Sequence, residues 1–439
     1  MQLYRKKIIE RYADDINTDM LNNHTNTAFY PLFVLEQVAS YEFKRCQELR
    51  KLLRFHIAHS KHVYSKKRRF DTDAFFARWC ITERVLEESQ TRYHSLPTSS
   101  HMCFCWSSML PHSVFHSPPR DSLFEDELFK LGFKKDRYTR IRKMVDRHIM
   151  YTIIDIKTKL SSAHMVSQEK MMHSDIDFLL TQHGNISLYH KHEKLSFRVS
   201  YDVYNKLRDM FSKNVPDLSG QAPVFHSRLY ILLARYATLD GEGYQGTMNK
   251  TMISHLQHSF GTHTECFASP LNVDVNTHHF CSAFPLIDCV FGSRGSFFTQ
   301  NEKTFLTGTY EVNPPFIEEI MYAMMFKITS AIIKAHTSTP LRFCIFLPQW
   351  DDTPAVEYLR LLEKENDSVV YASYLLTKDH YAYLAGFHYL PENNNRHIYY
   401  AATYVFILQN EAMTREWIGN FDNDPEKASL AMKKIVLKF

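Results

Sequence analysis

With 439 residues, the chain has room for two or three domains. A hydrophobic share of 44% supports a sizeable packed core, and 23% charged residues is ordinary for a globular protein. A net charge of only +4 excludes reading partners from bulk charge, and 12 glycines argue against a glycine-rich, loop-dominated binding protein.

The first residues, Met1 to Glu10, lack the apolar run of a secretory leader. Apolar periodicity then predicts amphipathic helices over 31–58, 72–93 and 138–160, with Phe75, Phe76, Trp79 and Leu86 on one buried face. Pro97, Pro111, Pro118 and Pro119 mark a long loop between them. Ser187–His190 and Leu195–Val199 read as two strands of a hairpin. Ser212, Asn214, Pro216, Gly220 and Pro223 cluster as a boundary, dividing a mainly helical part, 1–225, from a second part, 226–439. In that second part, strands predicted at 263–268, 278–284, 305–312, 342–347 and 402–408 alternate with helices, the pattern of an α/β layer. The clearest helix is 317–335, whose stripe includes Met321, Met324 and Met325 as core residues.

Apolar runs such as Tyr404–Leu408 fall far short of a membrane span, so no membrane partner is expected. The cysteines at 46, 80, 103, 105, 266, 281, 289 and 344 form no C-x-x-C pair, and read as reduced thiols of a nuclear or cytosolic protein. The 24 histidines are scattered without an H-E-x-x-H motif, so no metal is expected. The 32 Phe and 25 Tyr serve either as core or as stacking platforms for bases.

Asn313-Pro314-Pro315-Phe316 sits between the predicted strand 305–312 and the helix 317–335. Open parallel sheets bind ligands at the carboxyl ends of their strands. The residue types suit methylation of an adenine N6 amino group, whose lone pair is delocalised into the ring. Two acceptors aimed at the amino hydrogens, the Asn313 side-chain carbonyl and the Pro314 main-chain carbonyl, would localise density on nitrogen. The prolines fix φ, and Phe316 offers a stacking face. The competing reading is a plain strand-to-helix turn with Pro near the helix start.

Several blocks around this motif resemble the cap-specific adenosine N6-methyltransferase family, also called phosphorylated-CTD-interacting factors. They are Glu265-Cys266-Phe267-Ala268-Ser269-Pro270-Leu271-Asn272, Cys281–Pro285, Asp288, Phe291–Gly295, the motif with Glu318-Glu319, Phe346–Trp350 and Phe406–Asn410. The resemblance runs in order over about 240–410. It implies a Rossmann-like methyltransferase core beside a mainly helical N-terminal domain that binds RNA and cap. The implied reaction uses S-adenosylmethionine, without metal, to methylate N6 of 2′-O-methyladenosine next to a 7-methylguanosine cap. Asn313 to Phe316 would then contact donor and target base, joined in donor binding by Glu265, Ala268, Ser269, Pro270 and Asp288. Ser293, Arg294, Glu318, Trp350 and Asp351 would face the substrate. Glu318 reads equally as a first-turn acid on the helix dipole, and Trp350 as a partly buried structural residue. Vertebrate members carry a WW module. Trp79 and Trp106 stand 27 residues apart, with no Pro three residues after Trp106. The module is therefore expected to be absent, which puts polymerase-tail binding in doubt.

Gly241-Glu242-Gly243-Tyr244-Gln245-Gly246 matches G-x-G-x-x-G, and read alone suggests NAD. The preceding Arg228–Asp240 reads equally as a helix, which weighs against it. Lys61, Lys66, Lys67, Arg68 and Arg69 form one basic cluster, and Lys66–Arg69 also resembles a nuclear-import signal. Lys134, Lys135, Arg137, Arg140, Arg142, Lys143 and Arg147 form another, in which Arg140, Lys143 and Arg147 share a helix face. Beside an RNA substrate, these become a phosphate-binding groove facing the donor site. The expected partner is capped RNA with a 5′ adenosine, met by a monomer in the nucleus, with the cytoplasm as the other location. The alternatives are an N6-adenine methyltransferase for internal RNA or DNA sites, and an inactive RNA- or polymerase-binding protein.

Overall fold

The computed structural model describes residues 30–58, 71–90, 110, 123–130, 133–162, 170–181, 185–218, 220–240, 244, 246–300, 305, 307–335, 339–364, 369–377, 382–391, 397–398 and 402–437. The basic cluster at 61–69, the proline-marked loop, Trp106 and the pair Cys103/Cys105 lie outside these residues, as do Gly241 and Gly243.

Periodicity places the first helices where the sequence predicts them: α1 (Leu32–Ala58), α2 (Thr72–Gln90), a short α3 (Leu123–Lys130) and α4 (Lys135–Ser162). In α4 the buried residues Ile141, Val145, Ile149, Ile153, Ile156 and Leu160 recur every three or four positions, so one stripe faces inward. An antiparallel sheet follows, β1 (Ile176–Leu180), β2 (Asn185–His190) and β3 (Leu195–Ser200), in that spatial order. The predicted hairpin is β2–β3. The sequence reading missed β1, because four of its five residues are exposed and its burial does not alternate.

Ser200 caps α5 (Tyr201–Asn214) by accepting the Val203 N–H. A turn at Pro216–Leu218 leads to α6 (Ala222–Leu239), which carries Pro in its first turn and closes at Asp240 with φ 45°. This helix is buried along most of its length. Ser40 Oγ on α1 lies 2.8 Å from Tyr230 Oη, and the buried pair Arg235–Glu42 at 3.2 Å ties α6 to α1 again. One buried cluster runs from Leu32 and Val145 through α6 to Phe284, Phe291 and Ile317. The turn residues at 212–226 thus mark the α5–α6 connection, and α6 packs with the N-terminal helices. Since the G-x-G-x-x-G stretch follows a helix rather than a strand, the dinucleotide fingerprint lacks its structural context.

Apart from short helical turns at Pro285–Asp288, Cys289–Phe291 and Phe297–Thr299, the remaining elements are α7 (Lys250–Phe260), β4 (Thr262–Ala268), β5 (His279–Ser282), β6 (Gly308–Val312), α8 (Glu318–Lys334), β7 (Leu341–Pro348), α9 (Pro354–Lys364), β8 (Val370–Leu376), β9 (Tyr383–Leu384), β10 (His397–Ile398), β11 (Thr403–Gln409), α10 (Glu411–Gly419) and α11 (Pro425–Val436). Six strands form one sheet in the order β5-β4-β6-β7-β11-β8. β5, β4, β6 and β7 are mutually parallel, while β11 is antiparallel to both neighbours. β7 and β11 are buried at every position, which explains their continuous apolar runs. Phe343, Ile345 and Leu347 face α8 and α9; Cys344 and Phe346 face α7 and α11. The result is an α/β Rossmann-like methyltransferase fold with a mainly helical N-terminal region packed against it.

Candidate functional site

The order of the sheet fixes where a ligand crevice opens. From β4 the chain moves outward to β5, then returns across β4 to lay down β6 on the other side. Loops leaving β4 and β6 therefore diverge, and the crevice lies outside their carboxyl ends. Ala268 ends β4, and Asn313 follows β6 directly.

Asn313 is 7% exposed, and its Oδ1 is buried with no hydrogen-bond partner. A buried amide acceptor left unpaired costs on the order of 1–3 kcal/mol, so a position that keeps one invites a ligand donor. Pro314 is buried and Pro315 half-buried. Ile317 N–H donates to the Pro315 carbonyl at 2.7 Å, and the Met321 N–H donates to the Ile317 carbonyl at 2.9 Å. These bonds turn the chain sharply into α8. Phe316 stands edge-on to Trp350 (6.0 Å, 73°) and to Tyr383 (5.3 Å, 80°). Trp350 follows β7 and is 36% exposed, so the aromatic wall has one open face. Asp351 beside it accepts the Tyr404 hydroxyl at 2.6 Å. Glu318 is exposed in the first turn of α8. Its neighbour Glu319 is paired with Arg78 of α2 at 3.1 Å, which anchors the start of α8 to the helical region.

The loop after β4 is held from several sides. Asn272 Oδ1 accepts the Ser269 N–H at 2.6 Å and the Ser269 hydroxyl at 2.9 Å. Glu265 Oε1 accepts the Asp274 N–H at 3.0 Å and the Thr277 hydroxyl at 2.5 Å. Lys206, from α5, donates to the Leu271 and Val273 carbonyls at 2.9 and 3.1 Å. Burial pushes the Lys206 ammonium down to about 8, against the opposing pull of Glu265 and Asp274. Burial also pushes Glu265 up to about 6, against the lowering bonds from Thr277 and the Asp274 N–H. Glu311, its register partner on β6, is driven up by burial and then by the Glu265 charge.

Asn313, Pro314, Pro315, Phe316, Trp350 and Asp351 come together at the carboxyl ends of β6 and β7, and Ala268, Ser269 and Pro270 end the neighbouring β4. Other predicted residues have partners within the fold or lie elsewhere on it. The Glu265 carboxylate and the Ser269 hydroxyl brace the loop. Asp288 is 0% exposed and accepts the Tyr236 hydroxyl at 2.8 Å; burial raises its pKa to about 7. Ser293 is buried 2.6 Å from Ser282 Oγ. The Arg294 guanidinium lies 2.7 Å from His279 Nε2, at the amino end of the edge strand β5 and away from the motif. Arg140, Lys143 and Arg147 are exposed on α4, where with Arg45, Met144 and Tyr151 they line a groove of about 370 Å³. Among the described residues, the lining of that groove comes from α1 and α4. Sequence reasoning missed Tyr383, Lys206 and Glu311, which carry no motif and reach the site only through the fold.

A hollow of about 350 Å³ also opens at the opposite, amino end of the sheet, around Gly261, Gly308 and Arg342. Arg342 there donates to Gln409 at 2.8 Å and stacks on Phe260 and Trp417, the setting of a structural cation.

A family model described as "Phosphorylated CTD interacting factor 1 WW domain" matches residues 206–384. This overturns the expected absence of the WW module, and with it the doubt over polymerase-tail binding. The expectation rested on the spacing of Trp79 and Trp106, whereas the matched stretch contains neither and holds Trp350 instead. The chain is also 32% identical over 228 residues to an "mRNA (2'-O-methyladenosine-N(6)-)-methyltransferase" of Mus musculus. The protein of the same description from Homo sapiens is 31% identical over 228 residues. Each match covers 50% of this chain and 31% of the relative.

Proposed function

We propose that the chain is an S-adenosylmethionine-dependent methyltransferase that methylates N6 of the (2′-O-methyl)adenosine next to a 7-methylguanosine cap. The observation that carries the reading is the buried, unpartnered Oδ1 of Asn313 at the switch point, flanked by the aromatic edge of Phe316 and Trp350. The similarity to proteins described as acting on 2′-O-methyladenosine N6 supports the substrate class.

The crevice suits the methyl donor. The backbone of Ala268–Ser269–Pro270 and the Asn313 side chain would hold it, and the donor when bound supplies an electrophilic methyl on a sulfonium. The protein's own part is orientation. Asn313 Oδ1 and the Pro314 carbonyl accept the two amino hydrogens, pulling electron density onto N6 along the line of attack. Phe316 and Trp350 grip the faces of the base or the cationic cap guanine, and their apolar surface sheds water from the reacting groups. Glu318 at the mouth faces the RNA. The basic face of α4 holds phosphates further out, and the helical region 1–225 serves as the RNA platform for the core 226–439.

The deciding experiment is mass spectrometry of nucleosides after incubation with methyl donor. Capped RNA beginning with adenosine should gain one methyl at N6, while the same RNA beginning with guanosine should gain none. Equal rates on capped and uncapped adenosine-start RNA would replace this reading with an internal-site methyltransferase. Donor binding without turnover on any of these RNAs would leave a non-catalytic RNA-binding protein.

A further inference from the structure

Away from the sheet, three buried ionisable groups meet where α1, the approach to β1 and the β2–β3 turn converge. Glu36 and His190 are 0% exposed and Asp175 is 8% exposed. They offer ligand atoms within 4.8 Å of one another. Glu36 Oε1 accepts the Ser174 hydroxyl at 2.6 Å, and Oε2 accepts the Asp175 N–H at 2.8 Å. Among the described residues, neither carboxylate has a Lys or Arg partner. Two carboxylates shielded from water without a Lys or Arg partner are costly, and a cation between them would offset that cost.

Two further imidazoles supply the means to hold a cation. His173 Nε2 lies 3.3 Å and His192 Nε2 3.5 Å from the same atom, Asp175 Oδ1. A charge-assisted hydrogen bond is shorter, about 2.7–2.9 Å. Ligands at about 2.0–2.2 Å around a tetrahedral Zn²⁺ stand about 3.3–3.6 Å apart, and both imidazole–carboxylate separations fall in that range. Both rings are well exposed and pack edge-on against Phe33 and His190, whereas Asp175 is fixed by its own backbone: its carbonyl accepts the Lys191 N–H at 3.1 Å. His190 has a different part. Its Nδ1 accepts the His192 and Glu193 N–H groups at 3.3 and 3.4 Å. The remaining proton therefore sits on Nε2, which is buried and has no partner. It is a donor aimed into the cluster, suited to a ligating carboxylate or a metal-bound water.

We infer that Asp175, His173 and His192 bind a Zn²⁺ ion, with His190 Nε2–H and Glu36 orienting the ligands and a water completing the coordination. The site lies in the helical region and would fasten α1 to the three-stranded sheet. Its role is structural and separate from methyl transfer. No sequence motif marks it, because its groups are brought together by the β2–β3 turn and by α1, more than 130 residues earlier in the chain.

The test is titration of Zn²⁺ alone into the full chain, stripped with EDTA, against a chromophoric chelator. The expected result is one tight equivalent, a higher unfolding temperature with zinc, and an X-ray absorption edge showing two imidazoles among oxygen ligands. His173→Gln with His192→Gln replaces only exposed side chains, so circular dichroism should stay unchanged while the tight equivalent disappears. Absence of a tight equivalent in the wild-type protein overturns the site. So does a tight equivalent that survives undiminished in the double variant, because the zinc then sits elsewhere.

Discussion

Asn313 keeps an amide oxygen out of water without a protein donor, and such an acceptor contributes nothing to folding. Asn313→Ala should therefore leave the unfolding midpoint unchanged or slightly raised, while kcat falls about 10² to 10³-fold, the usual cost of losing one preorganised polar group. A folded variant with wild-type turnover would remove Asn313 from the mechanism. Asp288 makes the opposite kind of prediction. Its carboxyl is held at about 7 by burial, above the ordinary carboxylate value of about 3.9. The folded protein thus retains a proton that the unfolded chain releases from about pH 4 upward. Stability is lost as pH rises toward 7, by at most about 4 kcal/mol at ~1.4 kcal/mol per pKa unit. Asp288→Asn should flatten the fall in urea midpoint between pH 5 and pH 7.5. An equally steep fall in the variant would assign it to other buried acids such as Glu311.

At the level of elements, the exposed face of α4 is the clearest candidate for phosphates. Replacing Arg140, Lys143 and Arg147 by Gln should lower the salt slope of RNA binding by about 0.7 for each phosphate no longer neutralised. Methyl-donor affinity should not change, since among the described residues the groove is lined by α1 and α4, away from the sheet. An unchanged slope would make this an ordinary solvated face. The same elements show what a sequence can reveal. α4 and α8 are legible because one stripe of each is buried, and β7 and β11 because they are buried throughout. β8 escapes notice as an edge strand of mostly half-buried residues, and β1 because its exposed residues include Phe178, Leu179 and Leu180. At the site, the motif and its strand-to-helix position are readable from local pattern. The aromatic edge from Tyr383 and the brace from Lys206 are not, because each joins the crevice from a segment with no signal of its own.

Across the whole molecule, helical region and core are coupled at Arg78–Glu319, just past the Asn313–Phe316 motif and largely shielded from solvent. Arg78→Ala leaves a partly buried carboxylate without this partner and should cost about 1–3 kcal/mol of stability, while Arg78→Lys keeps part of it. Urea titration compares the three proteins; identical midpoints would show that the pair does not bind the two regions together. The placement of β11 has a consequence for how the protein is made. A strand from residues 403–409 separates β7 from β8, so both wait for a neighbour that leaves the ribosome after them. Until then the Leu341–Pro348 edge, mostly apolar and destined to be buried on both faces, is open to pairing with any passing strand. Nascent chains stalled before residue 403 should therefore bind chaperones and aggregate on release, and chains stalled well beyond 409 should resist protease. The sheet behaves as a lock whose bolt is delivered late, and the time spent waiting for it is when the protein is most at risk.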